Sequence, residues 1–216
     1  MARFSDDVDI LKYEPVLFGE LAMSGQVLCS GTGGELSGVT LSDSEADFTG
    51  AGIEAGMVIF ISGEGKSGVF EIVSVDSGTA LTVSVLRMDS QSQAAMDMQG
   101  SDMKYRICSY RVQAEQVGYE LTEYFGIQPG RSDSDYGVDD ILDAEVLRAV
   151  SVYGVISMLY ASLGCGDEQS NLWGKSEYYR KLYEKARSRI RLCIDAGDDG
   201  VSDTARIGGC VRLVRG

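Results

Sequence analysis

The alternation of hydrophobic and polar positions changes near residue 110. Before that point, short apolar stretches are separated by Gly, Ser and Thr, a pattern typical of strands joined by tight turns. Asp76-Ser-Gly-Thr79 lies between two such stretches, the second of which alternates with a period of two, and therefore predicts a β-hairpin. We expect a small antiparallel barrel or sandwich over residues 25–109, with strands in four segments: 57–61, 69–75, 81–85 and 104–110.

Beyond residue 110, apolar positions recur every three to four residues, which is the period of amphipathic helices. About three long helices are predicted, over residues 112–125, 143–163 and 170–194. A short helix or turn, interrupted at Pro15, opens the chain. The expected fold class is therefore α+β, with a C-terminal helical bundle formed by residues 1–24 and 110–216 and the β domain inserted between them.

The longest apolar run, residues 149–163, is shorter than a membrane span requires, and we expect it to be a buried helix rather than a membrane anchor. The first 15 residues carry acids where a signal peptide needs apolar residues, so export is not expected. The 5 cysteines are odd in number and widely spaced. Free thiols in a reducing cytoplasm are the simplest interpretation of that spacing.

Acidic residues dominate the chain, with 33 against 19 basic residues and a net charge of −14. This charge argues against nucleic acid or an anionic membrane as the partner of the whole surface. The distribution is uneven, because residues 1–174 carry a net −18 and residues 175–216 a net +4. One interpretation is a basic end that meets an acidic neighbour, and the other is two solvated faces of unlike charge.

Most enzymatic patterns fail on inspection. The chain has no histidine, which excludes Ser-His-Asp and Cys-His catalysis and the usual zinc sites. Gly63-Glu-Gly-Lys-Ser-Gly68 imitates the end of a phosphate loop, but Phe60 stands where the first glycine is needed. Gly31-Thr-Gly-Gly34 misses the dinucleotide fingerprint because Leu36 replaces its third glycine. We therefore expect no catalytic residue and no cofactor.

Two acidic clusters are the remaining chemical candidates. Asp139, Asp140 and Asp143 precede a predicted helix, where acids stabilise the free amides of the first turn. Residues 195–203 imitate a calcium loop, but positions three and twelve are Gly197 and Arg206. We expect a turn that ends the preceding helix and no metal ligand. A carboxylate hydrolase with a divalent ion at residues 195–203 remains an alternative.

Five segments of the second half carry a resemblance: Val117-Gly-Tyr-Glu-Leu-Thr-Glu-Tyr-Phe-Gly126, Asp140-Ile-Leu-Asp-Ala-Glu-Val-Leu-Arg-Ala149, Glu177-Tyr-Tyr-Arg-Lys-Leu-Tyr-Glu-Lys-Ala-Arg187, the turn at Asp199-Gly200, and Val211-Arg-Leu-Val-Arg215. Together they resemble the head–tail connector (adaptor) proteins of tailed bacteriophages, over roughly half of the chain. Residues 25–109 resemble the small inserted β-barrels of various virion proteins. Those motifs reflect packing and turns rather than chemistry.

The resemblance implies a structural virion protein without enzymatic activity. It implies a ring of twelve copies in the neck, between the portal and the stopper or tail-completion protein, assembled in the cytoplasm of the host bacterium. Double-stranded DNA would pass through the ring without specific binding, and the acidic surplus suits such a channel because like charges repel phosphates. No membrane partner is expected.

Two sets of residues are the predicted contact sites. The apolar residues of the tail, 209–216, have too few neighbours in sequence to form a core and require a partner. The set expected to dock on the portal is Arg206, Val211, Arg212, Leu213, Val214 and Arg215. The set expected to contact the ring neighbour or a partner is Arg180, Lys181, Lys185, Arg187 and Arg191.

Other interpretations of these surfaces stay open. The basic face of the third helix could bind phosphate or nucleic acid, but its tyrosines at 179 and 183 fall on the apolar side, which favours a protein contact or a solvated face. The alternative function is an intracellular protein-binding module, in which the β-barrel captures a partner polypeptide and the helices only dimerise.

Overall fold

The chain folds into two compact units. The computed structural model describes residues 3–63, 65–127, 136–164 and 170–208. Residues 6–110 form one unit, here called the barrel unit, and residues 1–5 with 111–216 form the other, here called the helical unit. The α+β class is confirmed, because a closed antiparallel barrel and helices are both present.

The barrel unit begins at Asp6, whereas the sequence placed residues 6–24 with the helices. Helix α1 (Asp7–Leu11) explains the difference. The Asp7 carboxylate accepts hydrogen bonds from the Ser109 hydroxyl at 2.7 Å and from the Tyr110 amide at 2.8 Å. Asp7 is buried, so these bonds hold α1 to the end of the barrel's last strand.

Six strands close the barrel in the order β1-β2-β5-β4-β3-β6, and every pair is antiparallel. Their bounds are Val27–Ser37 (β1), Thr40–Ser42 (β2), Val58–Gly63 (β3), Lys66–Ser77 (β4), Ala80–Ser84 (β5) and Gly100–Cys108 (β6). Short 3-10 turns at Pro15–Leu17 and Ser24–Gln26 precede β1. The predicted hairpin is β4–β5. Because the strand order closes on itself, the fold is a barrel rather than a sandwich.

The failed dinucleotide motif has a packing role in this barrel. Gly31 lies in β1 opposite Tyr105 of β6. A Cβ at residue 31 would lie 2.5 Å from the Tyr105 hydroxyl oxygen, so only glycine leaves room for that ring. The core that surrounds the ring is apolar, and its fully buried members include Leu41, Phe48, Ile59, Ile61, Leu81, Val83, Met103 and Ile107.

In the helical unit, the longest apolar helix is central. Helix α2 (Arg111–Tyr124) and α4 (Asn171–Arg187) each pack against α3 (Arg148–Leu163). A 3-10 turn, Ala144–Leu147, leads into α3, so the helical stretch is longer than the 15-residue apolar run in the sequence. Residues 144–163 are long and apolar enough to cross a membrane by length and composition, with half of their most apolar part buried inside the unit. The core helix of a soluble protein has the same properties.

The third long helix is shorter than predicted. It ends at Arg187, and the expected helical residues up to 194 instead include strand β7 (Arg191–Ile194), which pairs with β8 (Thr204–Ile207). Leu192 and Ile194 are fully buried, whereas Arg191 is exposed. Burial therefore alternates with the period of a strand, and the helical prediction for residues 191–194 was wrong.

Candidate protein-interaction surfaces

Side-chain bonds fix the rotation of α4 about its axis. The Ser170 hydroxyl caps its N-terminus by accepting a hydrogen bond from the Trp173 amide at 3.0 Å. Ser157 of α3 and Ser176 of α4 donate to each other's carbonyl oxygens at 3.0 and 2.9 Å. Tyr179 stacks on Tyr160 of α3, with ring centroids 6.3 Å apart. These contacts bury one face of α4 and leave the opposite face to solvent.

The exposed face carries an aromatic side chain followed by two cations. Tyr178, Lys181 and Lys185 follow the helical spacing of three and four residues, and we call them the α4 stripe. Tyr178 is 59% exposed, and both lysines are exposed. Neither lysine forms an ion pair with the described part of the chain. Tyrosine and cations on a rigid helix are available for a partner.

Two of the five predicted contact residues are already engaged within the unit. Arg180 donates two hydrogen bonds to Glu177, at 3.0 and 2.7 Å, which lower the pKa of that carboxyl group. The Arg187 guanidinium lies over the rings of Tyr124 and Tyr183, at 4.5 and 4.9 Å from their centroids. Arg187 therefore connects α4 to α2.

Lys181 and Lys185 are exposed on α4, whereas Arg191 lies on β7 and not on the helix. Tyr178 was not among the predicted contact residues. A helical projection of α4 was the signal that could have found it, because Tyr178 falls three residues before Lys181 and seven before Lys185.

An open groove runs between α3 and α4 on another side of the unit. Its volume is about 530 Å³. Met158 and Ala161 of α3 and Trp173 of α4 provide apolar walls, while Glu177, Arg180 and Glu184 form a charged rim. We call this cavity the α3–α4 groove. Gly154 lies at one end, where a Cβ would lie 2.8 Å from Val117 and 3.1 Å from the Tyr183 ring, so a glycine allows α2 and α4 to approach α3.

The sequence that imitates a calcium loop forms the connection between β7 and β8. The Asp195 carboxylate accepts hydrogen bonds from the amides of Gly200 at 2.7 Å, Gly197 at 3.1 Å and Asp199 at 3.3 Å. Burial alone would raise the pKa of Asp195, but the amide hydrogen bonds lower it by more, so the pKa is below its ordinary value. In the described residues, no group of three or more Asp, Glu, Cys or His side chains is placed to hold a metal ion.

The acids before α3 are also structural. Asp143 does not cap the helix, because its carboxylate accepts a hydrogen bond from the Cys193 amide of β7 at 3.0 Å. The Asp140 carboxylate accepts one from the Gly137 amide at 2.7 Å. Both carboxylates therefore hold backbone amides in place.

Of the residues predicted to dock on the portal, one lies in the described part of the chain. Arg206 belongs to β8, and its guanidinium lies over the Tyr136 ring at 5.1 Å from the centroid. It is part of the β7–β8 sheet and not of the tail. The other members, Val211, Arg212, Leu213, Val214 and Arg215, lie outside the described residues.

The barrel unit holds a second cavity of about 640 Å³, next to Cys29 and Tyr105. The Tyr105 hydroxyl donates a hydrogen bond to buried Asp43 at 2.8 Å. Burial, followed by this hydrogen bond, raises the pKa of Tyr105, and burial also raises the pKa of the Cys29 thiol. Both groups are therefore protonated at neutral pH, which is unsuited to nucleophilic attack by the thiol.

Comparison with protein-family models, with curated proteins and with solved structures found no match to this chain. The comparisons do not identify the chain as a head–tail connector.

Proposed function

We propose that the chain is a structural virion protein, a head–tail adaptor that forms a ring between the portal and the tail or stopper. In this role, the helical unit acts as a bundle that contacts its ring neighbours, and DNA passes through the ring without specific binding. Twelve copies form the ring. The proposal includes no catalysis and no cofactor.

The observation that carries the proposal is the α4 stripe. Tyr178, Lys181 and Lys185 stand on a helix whose opposite face is fixed by the Ser157–Ser176 bonds, so a partner would bind them at low entropic cost. The chain is acidic outside residues 175–216, with a net charge of −18. A neighbouring copy therefore presents a surface of the opposite sign to the stripe, which favours head-to-tail association into a ring.

Electron microscopy and mass measurement of the protein mixed with its proposed portal partner test this proposal. We expect rings on the portal for the wild type. The triple variant Tyr178→Ala, Lys181→Glu, Lys185→Glu should remain folded and lose ring formation. The double variant Lys66→Glu, Lys104→Glu, on two exposed lysines of the barrel unit, changes the net charge by the same amount as the two lysine substitutions in α4 and should assemble normally. A wild-type protein that stays a monomer or dimer with the portal present would overturn the proposal.

One observation favours the alternative of a polypeptide-binding module. Met88 is 93% exposed on a loop of the barrel unit that is held in shape by Arg87. The Arg87 guanidinium donates to the carbonyl oxygens of Ser90 and Ser92, each at 3.2 Å, and pairs with Glu71. An apolar side chain presented on a loop of fixed shape is suited to insertion into a partner's pocket. Under this alternative, Met88→Ser weakens partner binding and the α4 stripe variant does not.

A further inference from the structure

The α3–α4 groove leaves its apolar walls in partial contact with solvent. Met158, Ala161 and Trp173 line the same cavity, and each keeps a minor part of its surface exposed. Covering apolar surface is favourable by roughly 25 cal/mol per Å². A segment with apolar side chains would therefore gain free energy by binding in this groove.

Gly208 follows strand β8 and lies against the C-terminus of α4. Gly208 donates its amide hydrogen to the Ile190 carbonyl at 2.9 Å, and a Cβ at residue 208 would collide with the Arg187 backbone. The Arg187 side chain is itself a lining residue of the groove. Gly208 therefore lies beside one end of the groove, and the segment that follows it continues from this point.

The next eight residues are long enough to cover the groove. In extended form, residues 209–216 span about 26 Å, since each residue adds roughly 3.3 Å. The 14-residue rise of α4 from Trp173 to Arg187 is about 21 Å, at 1.5 Å per residue. The segment can therefore reach the far wall of the groove at Trp173.

The chemistry of the segment matches that of the groove. Residues 209–216 contain Val211, Leu213 and Val214 with two arginines and no acid. The groove lining contains three carboxylates, of Glu120, Glu177 and Glu184, against the guanidinium groups of Arg180 and Arg187. Arg180 is already bonded to Glu177 and also pairs with Glu184, at 3.6 Å. The lining nevertheless keeps an excess of negative charge, because it has three carboxylates against two guanidinium groups. Apolar side chains can therefore face the walls while the arginines meet this excess charge.

We propose that the C-terminal segment, residues 209–216, binds in the α3–α4 groove of its own chain. A partner that recruits this segment must then release it from the groove and expose Met158 and Trp173. The proposal does not depend on the adaptor function, because the groove and the segment belong to one chain.

Limited trypsin digestion of the full chain tests the proposal, with mass spectrometry recording cleavage after Arg212. Ala161→Arg places a bulky cation in the groove, and Ser162→Arg places the same side chain on the neighbouring exposed position, which does not line it. We expect faster cleavage in Ala161→Arg and wild-type cleavage in Ser162→Arg. Equal rates in all three proteins would overturn the proposal.

Acrylamide quenching of Trp173, the one tryptophan of the chain, is the second measurement. Replacing Val211, Leu213 and Val214 by Asp should increase the quenching constant and shift the emission to longer wavelength, and these substitutions leave the groove itself unchanged. An unaltered spectrum would contradict the proposal even if Ala161→Arg failed to fold. Quenching of the wild type should not change on dilution. An increase on dilution would assign the bound segment to a second copy and overturn binding within one chain.

Discussion

Gly31→Ala should destabilise the barrel unit, because Tyr105 cannot move away from a new methyl group. The Tyr105 ring is buried, its hydroxyl is bonded to Asp43 at 2.8 Å, and its centroid lies 5.8 Å from that of Phe48. The methyl carbon would lie 2.5 Å from the hydroxyl oxygen, well inside van der Waals contact. Overpacking of this kind costs about 1–3 kcal/mol.

Displacement of the ring adds a second cost, since Asp43 is buried and loses the hydroxyl that donates to it. A buried acceptor left without its partner costs about 1–3 kcal/mol. The two costs together span about 2–6 kcal/mol. We expect Gly31→Ala to lower the free energy of unfolding by about 3 kcal/mol, a value in the lower half of that range. Tyr105→Phe, which removes only the hydroxyl, should cost about 2 kcal/mol. Both changes act on one hydrogen bond, so the double variant should cost less than the sum by about 1–2 kcal/mol.

Urea unfolding followed by far-ultraviolet circular dichroism measures these free energies, with Trp173 fluorescence reporting separately on the helical unit. Gly25→Ala is the matched control, because a Cβ at residue 25 meets no atom within 4 Å. Its effect should stay below about 0.5 kcal/mol. If Gly31→Ala were as mild as Gly25→Ala, or if the double variant were strictly additive, the close approach of Tyr105 would not be the reason for glycine at position 31.

Three further predictions concern the helical unit. Gly174→Ala should stabilise it by about 1 kcal/mol, because residue 174 lies inside α4 and a Cβ there meets no atom within 4 Å. The measurement is the melting temperature, which should rise. A lower melting temperature would show that the new methyl group collides with a neighbouring residue. The pKa of Asp195 is lowered on folding, so its carboxylate should stabilise the fold above the unfolded pKa of about 3.9, and this stabilisation should disappear as the pH falls through the folded pKa. Asp195→Asn should therefore make stability depend less on pH in acid unfolding curves. An unchanged curve would show that the amide hydrogen bonds do not lower the pKa of Asp195. Deletion of residues 209–216 should leave the circular dichroism spectrum intact and abolish portal attachment in a binding assay; an unfolded truncated chain would place the segment in the core.

The local sequence pattern was sufficient to predict the β4–β5 hairpin, because the period-two alternation and the Asp76-Ser-Gly-Thr79 turn both indicate one. Strand β1 gave no such signal. Four of its eleven residues lie in Gly31-Thr-Gly-Gly34, whose composition is typical of a loop. Its place in the barrel depends on Tyr105, which follows more than 70 residues further along the chain. Strand β7 was missed for a similar reason, since its partner β8 follows ten residues later and no local motif links them.

The candidate surfaces were predictable to different degrees. Helical spacing was enough to find Lys181 and Lys185, because a basic face follows directly from the period of the helix. The α3–α4 groove was not predictable, since it depends on the distance between two helices. That distance is set by Gly154 and by the Ser157–Ser176 bonds, which a single-helix projection does not reveal.

Closure of the barrel affects what happens when several copies of the barrel unit are held close together. Strand β6 pairs with both β1 and β3, so the strands form a cycle without a free edge. Exposed strand edges are the usual template for runaway sheet extension between like chains. Many barrel units can therefore be held side by side, at the high local concentration of an assembly, without fusing through their backbones. Contacts between them would then come from side chains and loops rather than from paired strand edges, and a sequence can alter these one residue at a time.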